Sequence, residues 1–122
     1  MEDAAREALV AQLAETFGAA VDVTPAPDQP LHVLLPAVDL PSPWRPAQTR
    51  VLTIWNGWPT TRPDFYIDMT VVGEAGAPPR SCSEAYLLGQ TWRAFSFTFD
   101  WTGDDPVLAI QRWLTRFTRE PS

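Results

Sequence analysis

The only cysteine of the chain, Cys82, is the residue best suited to covalent chemistry. A thiolate is a strong nucleophile, and the thioester that it forms stays reactive toward amines, so such a residue can carry an acyl group. Arg80 would stabilise the thiolate, whereas Glu84 opposes it. Two interpretations stay open: Cys82 is a nucleophile, or it is an incidental free cysteine in a polar loop that follows the sheet.

Serine and aspartate residues supply the other candidate reactive groups. Ser81, Ser83 and Ser96 could each carry an acyl group as an oxyester, but a serine hydroxyl needs a general base, and the sequence shows none beside them. Asp64 and Asp68 are four positions apart in a predicted strand and therefore share a face. They could form an acid pair for hydrolysis, although we favour their interpretation as solvated charges on a sheet.

Composition narrows the classes of function. The one histidine, His32, lies in a predicted strand, where we interpret it as structural; a single Cys and a single His argue against a metal site, and we expect no cofactor. The net charge is −6, which argues against nucleic-acid binding. All nine basic residues are arginine, so no side-chain amine of this chain can accept an acyl group.

The same composition bears on location and size. No apolar run reaches the roughly 20 residues of a membrane span, and Met1 is followed by acidic residues instead of a signal peptide. We therefore expect a cytoplasmic protein without a membrane partner. At 122 residues with 45% hydrophobic content, residues 1–122 are predicted to form one domain.

The segment from Arg50 to Met69 is the centre of the predicted fold. Residues 51–55 and 65–72 are rich in the β-branched and aromatic types that favour strands. Between them, Pro59 and Pro63 each fix their own φ and disfavour helix in the residue before. The pattern predicts two strands joined by a rigid, proline-bearing loop.

Aromatic residues beside prolines indicate a docking surface. Trp44 and Trp58 both lie in predicted loops next to prolines, where they could be exposed. Alternatively, Trp44 could anchor its loop to the core, and Trp58 could pack under its own loop. Four residues are therefore the candidates for partner binding: Trp58, Pro59, Pro63 and Trp44.

Helices are predicted at the two ends of the chain. Asp3 can cap a helix over Ala4 to Phe17, which Gly18 would end. A second helix follows Asp104 as its cap and buries Val107 or Leu108, Ile110, Leu114 and Phe117.

The strands complete the predicted sheet. Residues 21–24 and 31–38 favour strands that precede the two of the central segment, which gives about four strands in an antiparallel meander. Residues 81–99 are predicted to form an irregular crossover, in which residues 85–88 could form a helical turn. Trp92, Phe95, Phe97 and Phe99 could alternate as a strand or line an irregular segment that faces the core. The predicted fold class is α+β, with the helices on one face of the sheet.

Several motifs in this order resemble the ubiquitin-conjugating (E2, UBC) fold. Trp58-Pro59 followed by Pro63 is similar to the aromatic-Pro and Pro signature after the third E2 strand, and Trp101 with Asp105 is similar to a pattern before a late helix. The whole resembles most a bacterial E2-like family encoded beside E1-like and ubiquitin-like proteins. The motifs shared with that family are Pro63-Asp64-Phe65, Leu88-Gly89-Gln90-Thr91-Trp92, Phe95-Ser96 and Trp101.

The resemblance, which covers about residues 31–118, implies a function. It implies a UBC-like domain in which Cys82 accepts the C-terminus of a ubiquitin-like protein from an E1-like enzyme, in a bacterial conjugation pathway that could serve antiphage defence. It also implies that the loop of Trp58 meets protein partners.

This chain also departs from the family. The His-Pro-Asn triplet that precedes the cysteine of a familiar E2 is replaced here by residues 70–73, Thr-Val-Val-Gly, and the bacterial family's histidines are replaced by Leu87 and by residues 96–98. Two alternatives therefore stay open beside a thioester carrier: a catalytically inactive variant or RWD-like interaction domain, and a Trp-lined pocket for a small ligand.

Overall fold

The computed structural model describes residues 1–80, 82–95, 98–101 and 103–119. An N-terminal helix precedes six strands, and a second helix follows them. The elements are α1 (Asp3–Phe17), β1 (Val21–Asp22), β2 (Leu31–Asp39), β3 (Gln48–Trp55), β4 (Asp64–Asp68), β5 (Cys82–Leu87), β6 (Gln90–Phe95) and α2 (Pro106–Thr118). Among the described residues, neither helix is long and apolar enough to cross a membrane.

Both predicted helices are present, and Gly18 ends α1 as predicted, but the two predicted N-caps are each wrong by one residue. The N-cap of α1 is Glu2, whose side chain makes no capping hydrogen bond, and Asp3 is the first helical residue. The N-cap of α2 is Asp105 instead of Asp104, and its carboxylate accepts hydrogen bonds from the backbone N–H groups of Val107 and Leu108. Pro106 then occupies the first helical position, where its missing N–H costs no hydrogen bond.

All strand pairs are antiparallel, in the sheet order β1-β2-β3-β4-β6-β5. The predicted meander is present as β1 to β4. The predicted number of about four strands is wrong, because β5 and β6 form a hairpin that extends the sheet beyond β4. The helical turn predicted over residues 85–88 is therefore wrong as well. Residues 82–86 pair with residues 91–95, and the pair Leu87↔Gln90 closes the hairpin.

The strand predicted over residues 65–72 ends early, at Asp68. The carboxylate of Asp68 accepts hydrogen bonds from both the backbone N–H and the hydroxyl of Thr70, at 2.9 and 2.8 Å, which turns the chain out of the ladder. Val72 then pairs with Arg45 in an isolated bridge, through backbone hydrogen bonds in both directions. The segment around Val72 thus holds two loops together.

The main core lies between one face of the sheet and both helices. Leu9 and Leu13 of α1 and four residues of α2 pack there, namely Ala109, Ile110, Trp113 and Phe117. Ile110 and Phe117 were predicted to be buried, whereas Leu108 is exposed and Leu114 is half-buried. Trp92 and Trp113 are buried as predicted, and Trp101 is half-buried.

A smaller cluster covers the opposite face of the sheet. Leu52, Ile54 and Trp92 are buried there, and the Arg50 guanidinium lies 4.8 Å from the centre of the Trp92 ring. Arg50 also pairs with Asp68, at 2.7 Å between nitrogen and oxygen. Burial raises the pKa of the Asp68 carboxyl, but hydrogen bonds from Thr70 and Arg50 outweigh burial and leave that pKa below its ordinary value.

The β5–β6 hairpin turns through two residues, Leu88 and Gly89. Both have positive φ, 55° and 74°, as a type I′ turn requires. The right-handed twist of the flanking strands matches this turn type. Glycine adopts such a conformation freely, whereas the Cβ of a leucine is crowded there. Leu88 therefore occupies a strained position.

We expect Leu88→Asn to raise the free energy of unfolding by about 1 kcal/mol, because asparagine tolerates the left-handed region that costs leucine roughly that much. Urea denaturation followed by fluorescence measures the change. Leu88→Ala is the matched control: it removes the exposed apolar side chain but keeps an L residue without a polar group at positive φ. Equal gains from both variants would contradict the turn geometry.

Candidate functional site

Cys82 is the first residue of β5 and lies at the edge of the sheet, not in a loop beyond it as the sequence predicted. Its partner across the hairpin is Phe95 of β6. The ring of Phe95 packs against Trp113 and Phe117 of α2, so Cys82 lies on the helix-covered face of the sheet. The Cys82 side chain is half-buried at the edge of the main core, next to Phe95.

Two groups contact the Cys82 sulfur. Its thiol donates a hydrogen bond to the Pro79 carbonyl oxygen, at 2.9 Å, and Nη1 of Arg93 donates to the sulfur at 3.7 Å. The guanidinium would stabilise negative charge that develops on the sulfur, whereas the carbonyl oxygen holds the protonated thiol in place. Arg93 is thus the charged neighbour of the candidate nucleophile.

Arg93 is fixed from a second direction. Its Nη2 donates to the Met69 carbonyl oxygen at 3.0 Å, and its Nε is buried without a partner among the described atoms. From the sequence we expected Arg80 to be the cation near the thiol, and we did not predict Arg93. The position of Arg93 could have been predicted from a two-residue turn at Leu88-Gly89. Such a turn pairs Glu84 with Arg93 and places Arg93 beside Cys82 on one face of the sheet.

His32 cannot act on Cys82. It lies in β2, which is four strand positions from β5 in the sheet order, or about 19 Å at ordinary strand spacing. It also pairs with Ile54, a member of the cluster on the opposite face. Its ring nitrogen Nδ1 is 2.7 Å from the Pro30 carbonyl oxygen, which agrees with a structural role.

The serine candidates are only partly described. Ser83 is exposed and pairs with Ala94, and its position in β5 puts it on the face opposite Cys82. Ser81 and Ser96 lie outside the described residues, so their proposed role as oxyester carriers stays a prediction.

The two aspartates of β4 do share a face, as predicted, but they do not form a catalytic pair. They are four positions apart along the strand, which is about 14 Å and too far for one proton to be shared. Asp68 is engaged with Arg50 and Thr70, and Asp64 is exposed. In the part of the chain that the structure describes, no three metal-ligating side chains come together.

The four predicted partner-binding residues are split between core and surface. Trp44 is 4% exposed: its ring packs 4.7 Å from that of Phe117, and its indole N–H donates to the Thr118 carbonyl oxygen. The prediction that Trp44 is exposed is therefore wrong, and the prediction that it anchors its loop is confirmed. Pro63 is buried too. These two residues are placed to support the loops rather than to touch a partner.

Trp58 and Pro59 remain candidates for a docking surface. Trp58 is half-buried and packs edge-on against Trp55, with 5.0 Å between ring centroids, and Pro59 is exposed. Gly57 shapes this loop, because its φ is 77° and an added Cβ would lie 2.8 Å from the Thr61 hydroxyl oxygen. Trp55 and Trp58 also line an open cleft of about 250 Å³. Trp44, Trp92 and Trp113 do not line this cleft, because they are buried in the core.

Comparisons with known proteins do not assign the chain to a family. No protein-family model matches it, and neither a curated protein nor a solved structure is significantly similar. The resemblance to E2 proteins therefore depends on its own motifs. In the structure, Pro63-Asp64-Phe65 lead into β4, Leu88 and Gly89 make the hairpin turn, and Trp92 is a buried residue of β6.

We expect Arg93→Gln to slow alkylation of Cys82 by iodoacetamide at pH 7 about fivefold, since a charge near 4 Å from the sulfur contributes about 1 kcal/mol in a water-like medium. Mass spectrometry of timed samples gives the rate. Arg80→Gln, which removes the cation proposed from sequence, should change the rate less than about twofold. Equal effects of the two variants, or faster alkylation of Arg93→Gln, would contradict the role of Arg93.

Proposed function

We propose that this chain is an E2-like component of a bacterial ubiquitin-like protein conjugation pathway, in which Cys82 accepts the C-terminus of a ubiquitin-like protein from an E1-like enzyme. The observation that carries the proposal is the placement of the one thiol of the chain, half-buried at the open edge of the sheet and within 3.7 Å of the Arg93 guanidinium. The order of a helix, an antiparallel sheet and a C-terminal helix, together with the proline-bearing loop, supports a UBC-like domain.

The proposed transfer exchanges one thioester for another. The Cys82 sulfur, having lost its proton to solvent, attacks the carbonyl carbon of the thioester that joins the ubiquitin-like protein to the E1-like enzyme. A new C–S bond forms, the old one breaks, and the electron pair leaves with the E1 thiolate, which takes up a proton. Arg93 would stabilise negative charge on the attacking sulfur before the bond forms, and the exchange needs no oxidant or reductant.

The arginine-only basic set suits a carrier of this kind. A thioester on Cys82 cannot transfer its acyl group to a lysine of the same chain, because all nine basic residues are arginine. The guanidinium stays protonated and does not act as an acyl acceptor at neutral pH. No side-chain amine of the same chain therefore competes with an amine on another molecule for the carried group.

One observation favours the second candidate, an interaction domain without acyl transfer. The Cys82 thiol donates to the Pro79 carbonyl oxygen, and the one histidine lies about 19 Å away at ordinary strand spacing, so the thiol is held in a structural hydrogen bond without a histidine base. Such a domain, an inactive E2 variant or RWD-like module, would bind the ubiquitin-like protein or the E1-like enzyme and leave Cys82 unmodified.

A charging reaction distinguishes these two functions. The protein is mixed with ATP and with the E1-like enzyme and ubiquitin-like protein of the same genome, and products are separated on non-reducing gels. We expect wild type to form an adduct that thiols cleave, Cys82→Ala to form none, and Cys82→Ser to form a thiol-resistant ester. A charged E1 with no adduct on wild type would overturn the carrier function and leave the interaction domain. An adduct that persists in both variants and is cleaved by hydroxylamine would indicate a serine carrier.

A further inference from the structure

The outer edge of β5 is open to a further strand. β5 is the last strand of the sheet order, and no described segment pairs with its outer side. Its edge-facing residues include Tyr86, which is 75% exposed, and Glu84, which is exposed as well. An open strand edge offers unpaired backbone N–H and C=O groups that can bind an extended segment of another protein.

The hairpin register determines which residues face that edge. In a hairpin with a two-residue turn, the flanking residues Leu87 and Gln90 exchange hydrogen bonds, and hydrogen-bonded pairs then alternate with non-bonded ones. Ser83 and Ala85 consequently direct their backbone groups toward β6. Cys82, Glu84 and Tyr86 direct theirs toward the free edge, and the side chains of these three residues share the face of Arg93.

We propose that the free edge of β5 binds the extended C-terminal tail of the ubiquitin-like protein as an added antiparallel strand, with the last residue of the tail beside Cys82. The identity of this partner rests on the proposed function. Strand polarity supports the assignment, because an antiparallel tail runs from Leu87 toward Cys82 and so ends at the thiol. A parallel tail would end near Leu87, about 17 Å from Cys82 along the strand.

Glu84 determines the side-chain preference of this edge. In the antiparallel register, the last residue of the tail lies opposite Cys82, the third-last opposite Glu84 and the fifth-last opposite Tyr86. Glu84 makes no ion pair among the described residues; the guanidinium across from it, that of Arg93, is directed to Cys82 and Met69. A basic third-last residue would complement the free carboxylate, and an aliphatic or cationic fifth-last residue would pack on the exposed ring of Tyr86.

The test uses a synthetic probe, acetyl-Val-Leu-Val-Arg-Gly-Gly with a free carboxylate, titrated into the ¹⁵N-labelled full chain. At saturation we expect amide hydrogen exchange of Cys82, Glu84 and Tyr86 to slow about tenfold, because their outward N–H groups gain partners. Exchange at Ser83 and Ala85 should stay unchanged, since these amides already bond to β6. Protection of all five amides, or of none, would overturn the added strand.

N-methylated probes supply matched controls. A methyl group on the nitrogen of the third-last residue removes a donor aimed at β5 and should weaken binding about tenfold, whereas one on the fourth-last nitrogen, which points away, should change it less than about twofold. Equal affinity of the two methylated probes would contradict the register. Glu84→Gln should weaken binding about threefold, and Glu84→Arg should bind a probe with Glu in place of Arg better than the original probe.

Three further outcomes separate this proposal from self-association and from the proposed function. If the same amides become protected without probe as the protein concentration rises, the edge pairs with a second copy of the chain and the tail proposal is overturned. If the probe fails to bind while Cys82 is still charged by the E1-like enzyme, the proposed function stands and the edge site does not. If the probe binds in the expected register but Cys82 is never charged, the edge site stands and the thioester does not.

Discussion

The pairing register of β5 with β6 is the constraint on which the candidate site depends. Leu88 and Gly89, both at positive φ, fix Leu87 opposite Gln90, and every later pair follows from that start. Because side chains alternate between faces along a strand, a slip of one residue would move Cys82 and Glu84 to the face away from Arg93. The contact between thiol and guanidinium and the outward backbone groups of the edge are both consequences of this register.

Backbone pairs with β4 and side-chain contacts on both faces hold the hairpin to the rest of the protein. Among the described residues, the hairpin's backbone pairs with β4 are Ile67↔Arg93 and Asp68↔Trp92. Arg93 adds a hydrogen bond from its side chain to the Met69 carbonyl oxygen on one face, and on the other face Trp92 packs beneath Arg50. Phe95 joins the aromatic cluster of α2. Arg93, which contacts the thiol, therefore also attaches the hairpin to the end of β4. A substitution of Arg93 changes both the surroundings of the Cys82 sulfur and the packing of the hairpin.

The sequence predicts those parts of the fold whose signals are local. Apolar periodicity of 3.6 and of 2 locates both helices and the strands of the meander, and Gly18 and Asp105 fit known capping roles to within a residue. The hairpin was missed because Leu88 is not a typical residue of a type I′ turn and because β5 mixes polar and apolar residues on both faces. Trp44 and its hydrogen-bond partner Thr118 are 74 positions apart in the chain, so the burial of Trp44 depends on tertiary packing that no local pattern encodes. Arg93 is only 11 positions from Cys82, and its approach follows from the two-residue turn once the hairpin is recognised.

The register can be measured directly by NMR in the free protein. Cys82 with Phe95, Glu84 with Arg93 and Tyr86 with Thr91 should form non-hydrogen-bonded pairs, whose Cα atoms lie about 4.5 Å apart with their Hα protons facing one another. We expect strong Hα–Hα nuclear Overhauser effects within these three pairs. Strong effects between Glu84 and Ala94 instead, which indicate a shift of one residue, would contradict the placement of Cys82 and with it the proposed site.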